Sequence, residues 1–145
     1  QVDLAACDEA ALATEFQTNL VVPILLTREF SARARQGRIV NILDQRIASP
    51  DGAHIAYRLS KQALADFTRS AAVALAPGFT VNGVAPGAVL PPGPGDAHTA
   101  REPAGRMLLE HMPSPRHVAE AVAFLLAADS ITGQVVYVDS GQHLM

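Results

Sequence analysis

The chain has 145 residues, 49% of them hydrophobic and 17% charged, with a formal net charge of −3. That length suits one domain, or part of one, with a real core, and the mild acidity offers no basic stripe for nucleic acid. The single Cys7 excludes an internal disulfide and any multi-cysteine metal site. No apolar run looks long enough to span a membrane, so a reduced, cytoplasmic setting without a membrane partner is the expectation.

The chain begins with Gln1 and enters a helical pattern almost at once, which reads as an internal start. From Ala5 to about Arg35, Leu12, Phe16, Leu20 and Ile24 recur at helical spacing, with Asp8 and Glu9 suited to the first turn. Pro23 interrupts this pattern. It has no N–H to donate to the carbonyl of Asn19 four residues back, so a kink with a free Asn19 carbonyl is expected. That carbonyl could bind a water or a side chain, or Asn19 could be an ordinary polar surface residue.

Gly37 to Leu43 reads as a buried parallel strand. Asp44 follows at its carboxyl end, where ligands gather in open α/β sheets; a turn-forming or capping role is the alternative. A loop through Pro50-Asp51-Gly52 leads to a helix from Ala56 to about Ala76, burying Leu64, Phe67, Ala71 and Leu75. In its opening turn Tyr57 and Lys61 stand four apart, hence on one face. A cation there favours phenolate and lowers the tyrosine pKa towards a range useful for proton transfer. A packing tyrosine beside a solvated lysine is the alternative. Lys61 is, however, the only lysine against ten arginines. A compact ammonium does what a planar guanidinium cannot, and the pair is taken as functional.

Phe79 to Ala85 is a second buried strand, ended by Pro86-Gly87. Residues Ala88 to Pro113 are rich in proline and glycine and read as a substrate loop, with one short helix from Arg101 to His111. Ser114 caps a further helix with Pro115 at its first position, running to about Ala128 with Val118, Val122 and Leu125 inward. Gly133 to Asp139 closes the sheet as a third strand. This alternation predicts an α/β fold with a parallel sheet and right-handed crossovers. None of the five histidines falls in a metal-binding spacing, and no metal is expected.

The order Asn19, Gly37-Arg38-Ile39-Val40-Asn41, Tyr57-x-x-x-Lys61, Val81-Asn82-Gly83-Val84-Ala85-Pro86-Gly87, Gly133-Gln134 and Val138-Asp139 resembles a short-chain dehydrogenase/reductase. The resemblance runs from about Asp8 to the end. It implies the C-terminal half of a Rossmann-like doubly wound parallel sheet, three strands with flanking helices, as a partial domain over residues 1–145. It also implies an NADPH cofactor, a small-molecule substrate and a homo-oligomer, a tetramer by family. By the same resemblance Tyr57 is the proton donor, Lys61 binds the nicotinamide ribose and lowers the Tyr57 pKa, and Asn19 supports a relay water. Pro86, Gly87 and Val89 hold the nicotinamide end.

Two departures from the family pattern stand out. The usual catalytic serine, thirteen residues before the tyrosine, is Asp44, which resembles the pteridine reductase and dihydromonapterin reductase branch. The Val84-to-Pro92 stretch and the His143-Leu144-Met145 ending are similar to that branch as well. A carboxyl group can relay a proton to a ring nitrogen and pair with an amino-substituted edge, whereas a serine hydroxyl mainly orients a carbonyl oxygen. Secondly, no glycine precedes Gly37, hence no glycine-rich phosphate turn. The family carries that turn ahead of this region, so the 145 residues alone are expected to be inactive. The expectation is an NADPH-dependent reductase of a dihydropteridine. A carbonyl or 3-oxoacyl reductase, or a silent member acting as a binding module, are the alternatives.

Overall fold

The computed structural model describes residues 4–5, 7–50, 52, 54–90 and 107–145. Helix α1 (Glu9–Phe16) passes through a π-helical turn (Gln17–Val21) into α2 (Val22–Arg33), followed by strand β1 (Gly37–Ile42). A 3-10 turn (Gln45–Ile47) precedes α3 (Ile55–Ala74) and β2 (Phe79–Pro86). Helix α4 (Pro115–Ala127), β3 (Val135–Val138) and a last 3-10 turn (Gln142–Leu144) complete the described elements.

The sheet has the order β1-β2-β3 and both pairs are parallel. Ile39 lies opposite Val81, and Ala85 opposite Tyr137. These side chains share one face, where Leu64, Ala65, Ala71 and Ala72 of α3 pack on them. Val81 and Ala85 are fully buried there, as expected for a central strand covered on both sides. Arg38 points to the other face, where its Nε donates to the Ala128 carbonyl at the end of α4 at 3.1 Å. Helices therefore flank both faces.

That arrangement corrects one expectation. Both crossovers step the same way along the sheet, yet α3 and α4 lie on opposite faces, so the two connections have opposite hands and only one can be right-handed. The reason is tertiary. Leu125 is 1% exposed in α4 and Val84 of β2 is fully buried, on a face that α3 leaves open.

The capping signals act as expected. The Ser114 hydroxyl accepts from the His117 N–H, His117 Nδ1 accepts from the Ser114 N–H, and Pro115 opens α4. The helix expected from Arg101 to His111 and most of the proline/glycine-rich loop fall on residues 91–106, outside the described residues. From residue 107 to 111 the backbone makes a turn and a bend, not helix. The run Glu9–Arg33 is long and apolar enough, at a mean hydropathy of 1.2, to cross a membrane by length and composition. The expectation that no segment reaches that length therefore fails. This run is amphipathic in its packing all the same. Leu20 joins the core under α3 and Thr27 is buried, while Leu25, Leu26 and Phe30 stand exposed.

Candidate active site

The site forms where β1 and β2 end, because parallel strands deliver their carboxyl ends to one side of the sheet. Past Ile42 the ladder continues for one more bond, Leu43 N–H to the Val84 carbonyl at 2.7 Å. Asp44 then turns out in an extended conformation. Its two oxygens do different work. Oδ1 accepts from the Arg46 N–H at 2.8 Å and caps the 3-10 turn, while Oδ2 accepts from the Tyr57 hydroxyl at 2.9 Å. The capping role considered for Asp44 from sequence is thus present, and the same carboxylate is bonded to Tyr57. The Arg46 guanidinium lies 4.0 Å from the same Oδ2.

Tyr57 and Lys61 stand on one face of α3, as the spacing requires, but their electrostatics differ from the expectation. The Lys61 amine lies 5.7 Å from the Tyr57 ring centroid and donates to the Ile42 carbonyl at 2.9 Å. Burial, then the charge of Asp44 and the hydrogen bond to it, push the Tyr57 phenol well above its usual pKa, with Arg46 opposing. The expected lowering by Lys61 is not seen here, because burial and then the Asp44 carboxylate raise the phenol instead. Tyr57 therefore holds its proton at neutral pH, in the hydrogen bond to Asp44. Burial lowers the Lys61 pKa, partly offset by Asp44 and Glu15.

Asn19 sits within the π turn, in which the Val22 N–H reaches back to the Gln17 carbonyl. The kink expected at Pro23 is realised one step earlier, as this wider turn, with Pro23 placed in the first turn of α2. Such turns recur at functional sites. The Asn19 amide donates to Glu15 Oε2 at 2.7 Å and to Ser60 Oγ at 3.1 Å. Ser60, fully buried, donates in turn to the Tyr57 carbonyl at 2.7 Å. Ser60 thereby ties the π turn to the helix that carries Tyr57.

Pro86 ends β2 and the Gly87 N–H donates to the Val138 carbonyl at 3.0 Å. A Cβ on Gly87 would come within 2.9 Å of the Asp139 Cβ, so only glycine fits. Val89 follows on the same segment, half-buried. Next to them Asp139, 2% exposed, accepts from the Gly141 and His143 N–H groups and from His143 Nδ1 at 2.7 Å. His143 stacks on Tyr137 with ring centres 4.0 Å apart. The last 3-10 turn packs against the turn that Asp44 caps.

The structure thus bonds Asp44 directly to Tyr57 and sets Lys61 on the end of β1. Asn19 reaches the group through Ser60. Pro86, Gly87 and Val89 line the neighbouring strand end without a hydrogen bond to those four among the described residues. Sequence reasoning missed Glu15, Ser60 and Arg46; the spacing of Glu15 four residues before Asn19 was the available signal for the first. Beside the site an open groove of about 410 Å³ runs along β1, lined by Asn19, Ile42, Lys61 and apolar residues of α2.

Comparison with known proteins shows the family of this chain. A family model described as enoyl-(acyl carrier protein) reductase matches residues 1–143. A short-chain dehydrogenase/reductase homolog, YusR of Bacillus subtilis (strain 168), is 36% identical over 116 residues, covering 79% of this chain and 90% of that protein. The dihydromonapterin reductase of Citrobacter koseri is 33% identical over 138 residues, covering 92% of this chain and 58% of that enzyme. The crystal structure of FolM alternative dihydrofolate reductase 1 from Brucella canis, complexed with NADP, superposes with a TM-score of 0.86 at 34% identity. It covers 99% of this chain, which spans 58% of that protein's length. With the strand-end site, the Tyr57–Lys61 helix and these matches in agreement, the chain belongs to the short-chain dehydrogenase/reductase family, on its pteridine reductase-like branch.

Proposed function

We propose that this chain is the nicotinamide- and substrate-side part of an NADPH-dependent reductase acting on a dihydropteridine-type small molecule. The observation that carries the reading is the 2.9 Å bond from the Tyr57 hydroxyl to a carboxylate at the position where the family usually has serine. The residues present fit the nicotinamide half of the cofactor. Lys61 spends one of three N–H donors on Ile42 and turns the others to the groove, where ribose hydroxyls can accept them. Tyr57, Lys61, Pro86, Gly87 and Val89 would hold this half.

When bound, NADPH supplies a hydride to a ring carbon of the substrate. This chain's own residues handle the proton. Tyr57, kept protonated by burial and by Asp44, breaks its O–H bond as a new N–H bond forms on the substrate ring. Asp44 Oδ2, bonded to that hydroxyl, can relay the proton on to the ring nitrogen without keeping it, and can accept from an amino group on the ring edge. Asn19, fixed by Glu15 and Ser60, keeps a relay water near Lys61. The carboxylate favours a pteridine over a simple ketone, since a carbonyl oxygen gains nothing from an acceptor beside it. We further propose a cytoplasmic homo-oligomer, supported by family resemblance and by the exposed Leu26, Val73 and Phe124.

The test follows NADPH oxidation by the complete protein that carries this chain, with a dihydropteridine and with a ketone or 3-oxoacyl compound. Turnover of the dihydropteridine with at least tenfold higher kcat/KM supports the reading. Preference for the ketone refutes the substrate class, and no oxidation with either refutes the enzyme.

A further inference from the structure

We infer that Arg46 is the charge-balancing positioning residue of this site, offsetting the carboxylate that stands where the family usually has serine. Three observations carry it. The Arg46 N–H donates to Asp44 Oδ1 at 2.8 Å, while its guanidinium lies 4.0 Å from Oδ2, the oxygen bonded to Tyr57. One residue therefore addresses both oxygens of Asp44. The two side chains are only 15% and 17% exposed, so solvent screens their attraction weakly. Burial, Asp44 and Glu15 all disfavour loss of the Tyr57 proton, whereas Arg46 favours it.

The inference rests on the proposed reduction, in which the O–H bond of Tyr57 breaks as a substrate N–H bond forms. The phenolate left behind lies beside a carboxylate, and like charges at that range oppose the transfer. A serine in that place would add no charge. The aspartate adds one, and Arg46, two residues further on, brings the opposite sign from the same turn. A guanidinium suits this task because it stays charged at every working pH. Arg46 takes no part in returning the proton to Tyr57, which stays with Lys61 and the relay water at Asn19. It touches no reacting atom and acts through Asp44.

Arg46→Met tests this, since it removes the charge and keeps the backbone N–H that Asp44 caps. In the complete protein kcat for the dihydropteridine should fall at least about tenfold, with KM for NADPH nearly unchanged, because the two anions meet only during the transfer. Arg46→Lys should retain much of the rate. Millimolar guanidinium should restore part of it to Arg46→Ala, and sodium at equal ionic strength should not. A packing role would show none of this charge dependence. Unchanged kcat in Arg46→Met, or a loss that neither lysine nor guanidinium mends, would overturn the proposal. A second readout needs no turnover. Arg46→Met should lower the urea midpoint more in the wild type than in Asp44→Ser, where there is no carboxylate to balance. Equal shifts in the two backgrounds overturn the proposal. Should Arg46→Met fail to fold, the double variant with Asp44→Ser decides: its folding supports the proposal and its failure overturns it. If the wild type reduces nothing, the substrate reading fails while the midpoints still decide the charge pairing.

Discussion

Asp44→Ser separates the two jobs that the structure gives to one carboxylate. Oδ1 caps the 3-10 turn through the Arg46 N–H, and a serine hydroxyl can do the same, so the stability change should stay within the roughly 1 kcal/mol of a weakened cap. Oδ2 is different. The 2.9 Å bond from Tyr57 is a hydrogen bond to a charged, mostly buried acceptor, a class that contributes about 1.5–3 kcal/mol. If that interaction serves the transition state, its loss lowers kcat/KM for a dihydropteridine by about tenfold to a hundredfold or more, at about 1.4 kcal/mol per decade. Activity on a simple ketone should hold or rise, because serine restores a donor towards a carbonyl oxygen. The Tyr57 pKa should also fall, although burial keeps it above the ordinary value. The assay is kcat/KM for both substrates in the complete protein, with urea midpoints to measure stability separately. An unchanged ratio between the substrates would refute the role assigned to Oδ2, and parallel losses that follow the urea midpoint would reduce Asp44 to a cap.

Lys61→Arg keeps the charge but misplaces the donors at Ile42 and in the groove, so turnover should fall at least about tenfold; near-wild-type rates would return Lys61 to a solvated surface role. Because the folded-state pKa of Tyr57 is raised above its unfolded value near 10, its stability contribution is fully present below about pH 10 and is lost as pH rises further. Tyr57→Phe should therefore flatten the fall of the urea midpoint above pH 10, and an identical fall in both proteins would contradict the shift. Gly87→Ala drives a Cβ to 2.9 Å from Asp139, an overpacking that should cost about 1–3 kcal/mol in urea unfolding. The 145-residue chain by itself, without a glycine before Gly37, should bind NADPH weakly; micromolar affinity by calorimetry on monodisperse material would show that no phosphate turn is needed.

Local periodicity made most of the secondary structure legible. Short apolar runs after Gly37 and from Phe79 became β1 and β2 because a covered parallel strand needs little else. Ser114-Pro115 marked the start of α4 through backbone groups only a turn away. The Tyr57–Lys61 pairing was readable for the same reason, since a four-residue spacing on a helix is a fixed geometry. What sequence could not supply was every relation between segments. Which face α4 covers depends on the space that α3 leaves under Val84 and Leu125. The Tyr57 shift comes first from burial and then from Asp44, which arrives from the end of β1. Ser60 and Glu15 joined the site only once the π turn was laid against α3, bringing Asn19 to a serine 41 positions away. Period and spacing act within a few turns of chain and so are written locally; charge, burial and handedness act between surfaces and exist only after those surfaces meet.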